Sequence, residues 1–124
     1  KLLREGNSDI VFLNFGALLH EAEIVSEKMD MTLIDMRFVK PLDEEILSKH
    51  LKNASMFISL EDGSMSGGAG SAVQEFCGRN NIMIKSLIFG IPDEFIDHAS
   101  REEMLNQAGL SATKILDKLK TLQE

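Results

Sequence analysis

The sequence predicts an α/β fold in which a mainly parallel sheet of four to five strands is covered by helices on both faces, giving three α/β/α layers. Four short apolar runs alternate with helical patterns along the 124 residues. The connections between them are too short for anything but βα and αβ turns, which is typical of a parallel sheet. Residues 1–8 are predicted to be the end of a linker, and residues 9–124 to form the domain.

The strands are predicted from apolar runs bounded by polar or glycine residues. Such runs are typical of strands that are buried on both faces of a sheet. They are Ile10 to Leu13, Met31 to Met36, Met56 to Leu60 and Ile82 to Phe89.

Helices are predicted between and after these runs. The first extends from Ala17 to near Asp30, and the second is opened by Pro41 and the acidic residues 43–45, where negative charge favours a helix N-terminus. The third follows a glycine-rich loop and ends at Asn80.

Beyond the fourth run, the sequence predicts a helical tail in two parts. Ser100 and Glu103 have the spacing of a capping box, and Gly109 is the expected end of that part. Ser111 is expected to cap the last helix, whose apolar stripe is Ala112, Ile115, Leu116, Leu119 and Leu122.

Charge and composition exclude several classes of function. Lys and Arg total 13 against 20 Asp and Glu, so the net charge of −7 offers little attraction to nucleic acid or to an anionic membrane. No apolar stretch approaches the roughly 20 residues of a membrane span, and a cytoplasmic protein is expected. The charged start at Lys1, which lacks an initiator Met, predicts that the chain is part of a longer protein.

The glycine loop 67–70 is the first candidate for chemistry. It lies between a predicted strand and a predicted helix, where backbone amides and the helix dipole can hold a phosphate. The Lys-Ser/Thr ending of a P-loop is missing, and the spacing of Gly68 and Gly70 does not complete a dinucleotide fingerprint. The favoured interpretation is a tight turn in which glycine allows positive φ and close helix–strand contact.

Acidic and basic residues at strand ends form the second group of candidates. Glu61 and Asp62 follow the third strand, where open α/β sheets place functional residues, but capping of the loop is the favoured role. Asp35, Arg37 and Lys40 follow the second strand and suggest either an anion site or an ion pair with a neighbouring domain.

Cysteine and histidine give little support to a catalytic or metal site. Cys77 is the single cysteine and is expected to be a buried, inert thiol. His20, His50 and His98 are widely separated and lack metal-binding spacing.

Three segments carry a resemblance to a known family. They are DMRFVKPLD at 35–43, the segment 61–73 that ends in GGAGSAV, and GIPDEFIDH at 90–98. In this order and spacing they resemble the carboxy-terminal domain of 1-deoxy-D-xylulose 5-phosphate synthase, a thiamine-diphosphate enzyme of the transketolase type. The resemblance also implies a fifth strand, for which an antiparallel edge position is one option.

The resemblance implies a dimeric transferase that condenses pyruvate with glyceraldehyde 3-phosphate and releases CO2, supplying isoprenoid precursors and thiamine biosynthesis. Thiamine diphosphate and Mg²⁺ would bind between two preceding domains, so these residues are expected to hold no cofactor and to be inactive alone. They would instead contact the missing domains and a second subunit. The candidate interface or structural residues are Asp35, Arg37, Lys40, Glu61, Gly67, Gly68, Gly70, Asp93 and His98.

Two alternatives remain open from the sequence. One is a free-standing flavodoxin-like module that binds a phosphorylated small ligand at the glycine loop. The other is a domain of the E1 β subunit of a 2-oxoacid dehydrogenase, whose sequence has similar D-x-R, P-L-D and GG-x-G elements.

Overall fold

A computed structural model of the chain describes residues 1–16, 19–36, 42–61, 68–90 and 112–123, and it has the predicted α/β fold. The elements are β1 (Leu2–Arg4), β2 (Ile10–Phe15), α1 (Leu19–Lys28), β3 (Thr32–Asp35), α2 (Glu44–Leu51), β4 (Met56–Glu61), α3 (Ala69–Arg79), β5 (Lys85–Gly90) and α4 (Ala112–Gln123).

The five strands form one mixed sheet in the order β1-β3-β2-β4-β5. β2 pairs in parallel with both β3 and β4, and β4 pairs in parallel with β5. The chain therefore winds outward from β2 in two directions, first to β3 and later to β4. The carboxyl ends of β2 and β4 meet at a topological switch point, which is where open α/β sheets form their binding crevices.

β1 is the fifth strand, and it pairs antiparallel with β3 at one edge of the sheet. Leu2 is opposite Ile34, and Arg4 is opposite Leu33. Residues 2–4 thus belong to the sheet although they lie in the segment 1–8 that the sequence assigns to a linker. Whether that segment leads from a preceding domain stays a prediction.

Apolar side chains divide into two clusters, one on each face of the sheet. The first cluster joins the sheet to α1 and α4, and the second joins it to α2 and α3. Because alternate residues of a strand point to opposite faces, Phe12 lies in the first cluster and Leu13 in the second. The three-layer α/β/α arrangement predicted from the sequence is therefore confirmed.

Two element boundaries show how local chemistry sets the fold. Asp43 caps α2 as its acidic start predicts, since its Oδ1 accepts a hydrogen bond from the Ile46 amide at 3.1 Å. β5 starts at Lys85, three residues after the predicted start. The amide of Ile82 instead donates to the Cys77 carbonyl at 2.9 Å, and this bond closes the end of α3.

The first part of the predicted helical tail, with Ser100, Glu103 and Gly109, lies outside the described residues, as does Ser111. In α4, the side chains of Ile115, Leu116 and Leu119 are buried as the stripe predicts. Among the helices that the structure describes, none has the length and apolarity to cross a membrane.

Candidate functional site

The candidate site lies where the strands β2, β3 and β4 end at the carboxyl edge of the sheet. In the parallel register Asn14 is opposite Asp35, and Phe15 is opposite Glu61. Residues that are far apart in the sequence are thereby brought to one edge, around the switch point between β2 and β4.

Glu61 connects the end of β4 to the start of α3. Its Oε2 accepts a hydrogen bond from the backbone amide of Gly70 at 3.0 Å. Gly68 is the N-cap residue, with φ of 80° and no side-chain cap, and the first turn of α3 contains no acidic residue. The Glu61 carboxylate therefore supplies the negative charge that a helix N-terminus favours, from outside the helix.

Gly70 is in such close contact with the sheet that it leaves no room for a side chain. A Cβ at this position would lie 2.5 Å from Ser59 Oγ and 2.8 Å from Ile88 Cδ1. The glycine loop thus has the two properties of the structural interpretation, namely positive φ at Gly68 and close helix–strand contact at Gly70.

Asn14 and Asp35 form a buried polar pair on the opposite face of the sheet. Asn14 is 0% exposed and Asp35 is 8% exposed. The Asn14 amide group donates to Asp35 Oδ1 and to the Gly16 carbonyl, both at 3.3 Å. The pair ties the ends of β2 and β3 together at the edge of the sheet.

Sequence reasoning did not select Asn14, although one signal was available. Asn14 follows an apolar run directly and precedes Phe15 and Gly16, so a polar residue there has to lie in or beside the core. Its Oδ1 is buried and has no hydrogen-bond partner among the described residues. A buried amide oxygen without a partner is uncommon in folded proteins, and it leaves Asn14 able to accept one further hydrogen bond.

The described residues include only part of the predicted set. Glu61, Gly68 and Gly70 are brought together at the junction of β4 and α3, and Asp35 lies beside Asn14. Arg37, Lys40, Gly67, Asp93 and His98 lie outside the described residues, so their interface roles stay predictions.

Cys77 and His50 are two titratable groups whose pKa is shifted by burial. Cys77 is a free, buried cysteine, and burial raises the pKa of its thiol. Burial lowers the pKa of His50, neighbouring Lys49 lowers it further, and Glu5 acts in the opposite direction. Within the described ranges, no group of three or more His, Cys, Asp or Glu side chains is placed to hold a metal ion.

A carboxylate of the chain itself already occupies part of the helix N-terminus at the glycine loop. The Gly70 amide, one of the amides in the first turn of α3, donates to the Glu61 carboxylate. A second anion there would meet a like charge at close range, which is unfavourable. The expected absence of a cofactor from this loop stays a prediction, because Gly67 lies outside the described residues.

Comparisons with known proteins identify the family of this chain and support its fold. The family model described as "Transketolase, C-terminal domain" matches residues 1–115. The solved structure of a "Split gene transketolase, inactive beta4 tetramer" has a TM-score of 0.74 at 24% identity, covering 98% of this chain and 41% of that chain. This second likeness supports the fold alone.

Closer relatives are whole enzymes of which this chain matches a small part. The chain is 44% identical over 114 residues to 1-deoxy-D-xylulose-5-phosphate synthase of Pseudomonas syringae pv. syringae (strain B728a), with 92% of this chain and 18% of that protein covered. It is 46% identical over 116 residues to the synthase of Blochmanniella pennsylvanica (strain BPEN), covering 94% of this chain and 18% of that protein. From the family match and the shared architecture, the chain belongs to the transketolase C-terminal domain family.

Proposed function

We propose that this chain is the carboxy-terminal domain of a 1-deoxy-D-xylulose 5-phosphate synthase and that it assembles the enzyme without performing the chemistry. The full-length protein would be a thiamine-diphosphate- and Mg²⁺-dependent transferase that condenses pyruvate with glyceraldehyde 3-phosphate and releases CO2. The observation that carries the proposal is the identity of 44% over 92% of the chain to a synthase of which the chain matches only 18%.

The contact between Glu61 and Gly70 supports an assembly role over a ligand-binding one. A free phosphate-binding module needs unpaired amides at the start of its helix. Here the Gly70 amide is 3.0 Å from Glu61 Oε2, so the carboxylate of the chain itself takes the place of the anion. This contact speaks against the flavodoxin-like alternative.

The carboxyl edge of the sheet is the surface that we propose packs on the remaining domains or on a second subunit. The positions Asp35, Glu61, Gly68 and Gly70 lie at this edge. Glu61 would hold the end of β4 and the start of α3 in a fixed position relative to each other. In this role Glu61 is a positioning residue and touches no reacting group.

Activity of the full-length protein tests the proposal. With thiamine diphosphate, Mg²⁺, pyruvate and glyceraldehyde 3-phosphate, the protein is expected to form the condensation product and release one CO2 per turnover. The matched control is the same protein lacking the residues of this domain, which is expected to lose assembly and activity together. Transfer of the two-carbon unit to a lipoyl carrier instead would contradict the proposal and support the 2-oxoacid dehydrogenase alternative.

A further inference from the structure

A groove between β1 and α1 lies away from the candidate site. Its volume is about 540 Å³, and it is lined by Leu3, Arg4, Leu19, Glu23, Ser26, Glu27 and Leu33. Leu3 is 39% exposed, which makes it one of three exposed large apolar side chains among the described residues. The groove is large enough for several side chains of another segment.

The groove exists because the sheet extends further than the helix layer above it. α1 packs against Leu33 of β3, whereas β1 lies outside β3 at the edge of the sheet. The alternate residue Leu2 turns to the other face and packs on the cluster of α2 and α3. On the α1 side, the apolar side chain of Leu3 is left at the surface.

The rim of the groove carries uncompensated negative charge. Glu23 and Glu27 are both exposed, and they follow each other by one helical turn on α1. Neither forms an ion pair among the described residues. Arg4, the cation in the lining, already pairs with Asp30, at 2.6 Å between Nη2 and Oδ1. A partner would thus meet an apolar floor beside two carboxylates.

We infer that this groove holds a segment of the preceding part of the same polypeptide, which inserts an apolar side chain flanked by Lys or Arg. The inference rests on the proposed function, because the occupant belongs to the longer protein. Two observations favour this occupant: the negative charge of the rim favours a cationic partner, and β1 itself forms one wall of the groove.

The direction of β1 makes the preceding segment the nearest candidate. Because β1 runs antiparallel to β3, the chain enters at the carboxyl edge, where the Asp35 amide donates to the Lys1 carbonyl at 2.9 Å. A chain that leads into Lys1 needs only a few residues, each spanning about 3.3 Å, to turn back along the groove. Such tethering gives the segment a high effective concentration at its binding surface.

Thiol labelling of the full-length protein tests the inference. Glu27→Cys places a thiol on the rim, and Glu75→Cys places one on the exposed surface of α3 as the matched control. The peptide that carries each thiol is followed by mass spectrometry during reaction with a maleimide. The rim thiol is expected to react at least about tenfold more slowly than the control, because the docked segment must open first.

A charge test identifies the chemistry of the occupant. In the same protein, Glu23→Lys is expected to raise the labelling rate at the rim towards that of the control. Roughly 1 M salt, which screens exposed ion pairs, should act in the same direction. The corresponding substitution Glu45→Lys, on α2, should leave the rate at the rim unchanged.

Three results would overturn the inference. The first is a rim thiol that reacts as fast as the control thiol. The second is a slow labelling rate at the rim that changes neither with Glu23→Lys nor with salt. Protection that grows with protein concentration would assign the groove to a second subunit. If the full-length protein is active as a synthase and the rim thiol still reacts as fast as the control, the inference about the groove fails and the proposed function stands. Absence of synthase activity in the wild-type protein would overturn the proposed function itself.

Discussion

The tight contact at Gly70 gives the sharpest prediction about the candidate site. We expect Gly70→Ala to destabilise the domain although alanine is the better helix former. The added Cβ would lie 2.5 Å from Ser59 Oγ and 2.8 Å from two carbons of Ile88. All three distances are shorter than van der Waals contact, so α3 or its neighbours must move.

The expected size follows from two opposing terms. Inserting a methyl group into a packed contact costs about 1–3 kcal/mol. Replacing glycine by alanine in a helix returns at most about 1 kcal/mol. With the full gain, the net loss in unfolding free energy is up to about 2 kcal/mol, which reduces the ratio of folded to unfolded molecules by up to roughly 30-fold.

Urea unfolding of four variants measures this loss and locates its cause. Gly78→Ala is the matched control, because it lies in the same helix and a Cβ there meets nothing within 4 Å. It should stabilise the domain by about 0.5–1 kcal/mol. Ser59→Ala removes a buried hydroxyl that has no partner among the described residues, so alone it should be neutral or slightly stabilising. Combined with Gly70→Ala, it should recover about half of the loss.

Equal stability of Gly70→Ala and Gly78→Ala would refute the packing argument. So would strict additivity of Gly70→Ala and Ser59→Ala, because the nearest atom to the added Cβ is the Ser59 hydroxyl oxygen. A changed slope of unfolding against urea would instead indicate that the compactness of one state had changed.

Three further predictions concern the capping carboxylate, a turn and the thiol. Glu61→Ala should lower the unfolding free energy by about 1 kcal/mol, because α3 loses its cap. The control Glu75→Ala, within α3, should change the unfolding free energy by less than about 0.5 kcal/mol. Equal effects of the two substitutions in urea unfolding would contradict the capping role. Gly6→Ala would place a Cβ 2.2 Å from the Asp30 carbonyl oxygen, so circular dichroism should show thermal unfolding at a lower temperature, and an unchanged midpoint would argue against that contact. Burial raises the pKa of the Cys77 thiol, so its contribution to stability is present below the unfolded pKa and is lost as the pH rises through the folded pKa. From neutral pH to about pH 10, the unfolding free energy should therefore fall more steeply for the wild type than for Cys77→Ala. Parallel curves for the two proteins would count against a raised pKa.

The central sheet could be predicted from the sequence because its strands are continuous apolar runs. Segments such as 10–13 and 57–60 are buried on both faces, so composition alone separates them from surface elements. The start of α2 was equally readable, since Asp43 both precedes the helix and caps it. These features depend on residues that are close together in the chain.

The features that no local sequence pattern could place depend on contacts between distant residues. β1 has only three residues, too few for a periodic pattern, and its position is set by pairing with β3 some 30 residues later. Asn14 is buried because β3 places Asp35 beside it, which is a property of the sheet register. No local pattern contains either fact.

The glycine loop shows an intermediate case. The sequence allowed both a phosphate site and a structural turn, because each needs glycines between a strand and a helix. In the structure Glu61 turns towards the Gly70 amide, and this contact favours the turn. Without a carboxylate at position 61, the strand, the glycines and the helix would form the same sequence pattern, and the Gly70 amide would be free.

Calorimetric titration of the 124-residue chain with thiamine diphosphate and Mg²⁺, followed by measurement of CO2 release from pyruvate, shows whether this domain takes part in the chemistry. If the reacting groups belong to the rest of the protein, the chain should give no binding heat and release no CO2 above a buffer control. Saturable binding accompanied by decarboxylation would contradict the assembly role.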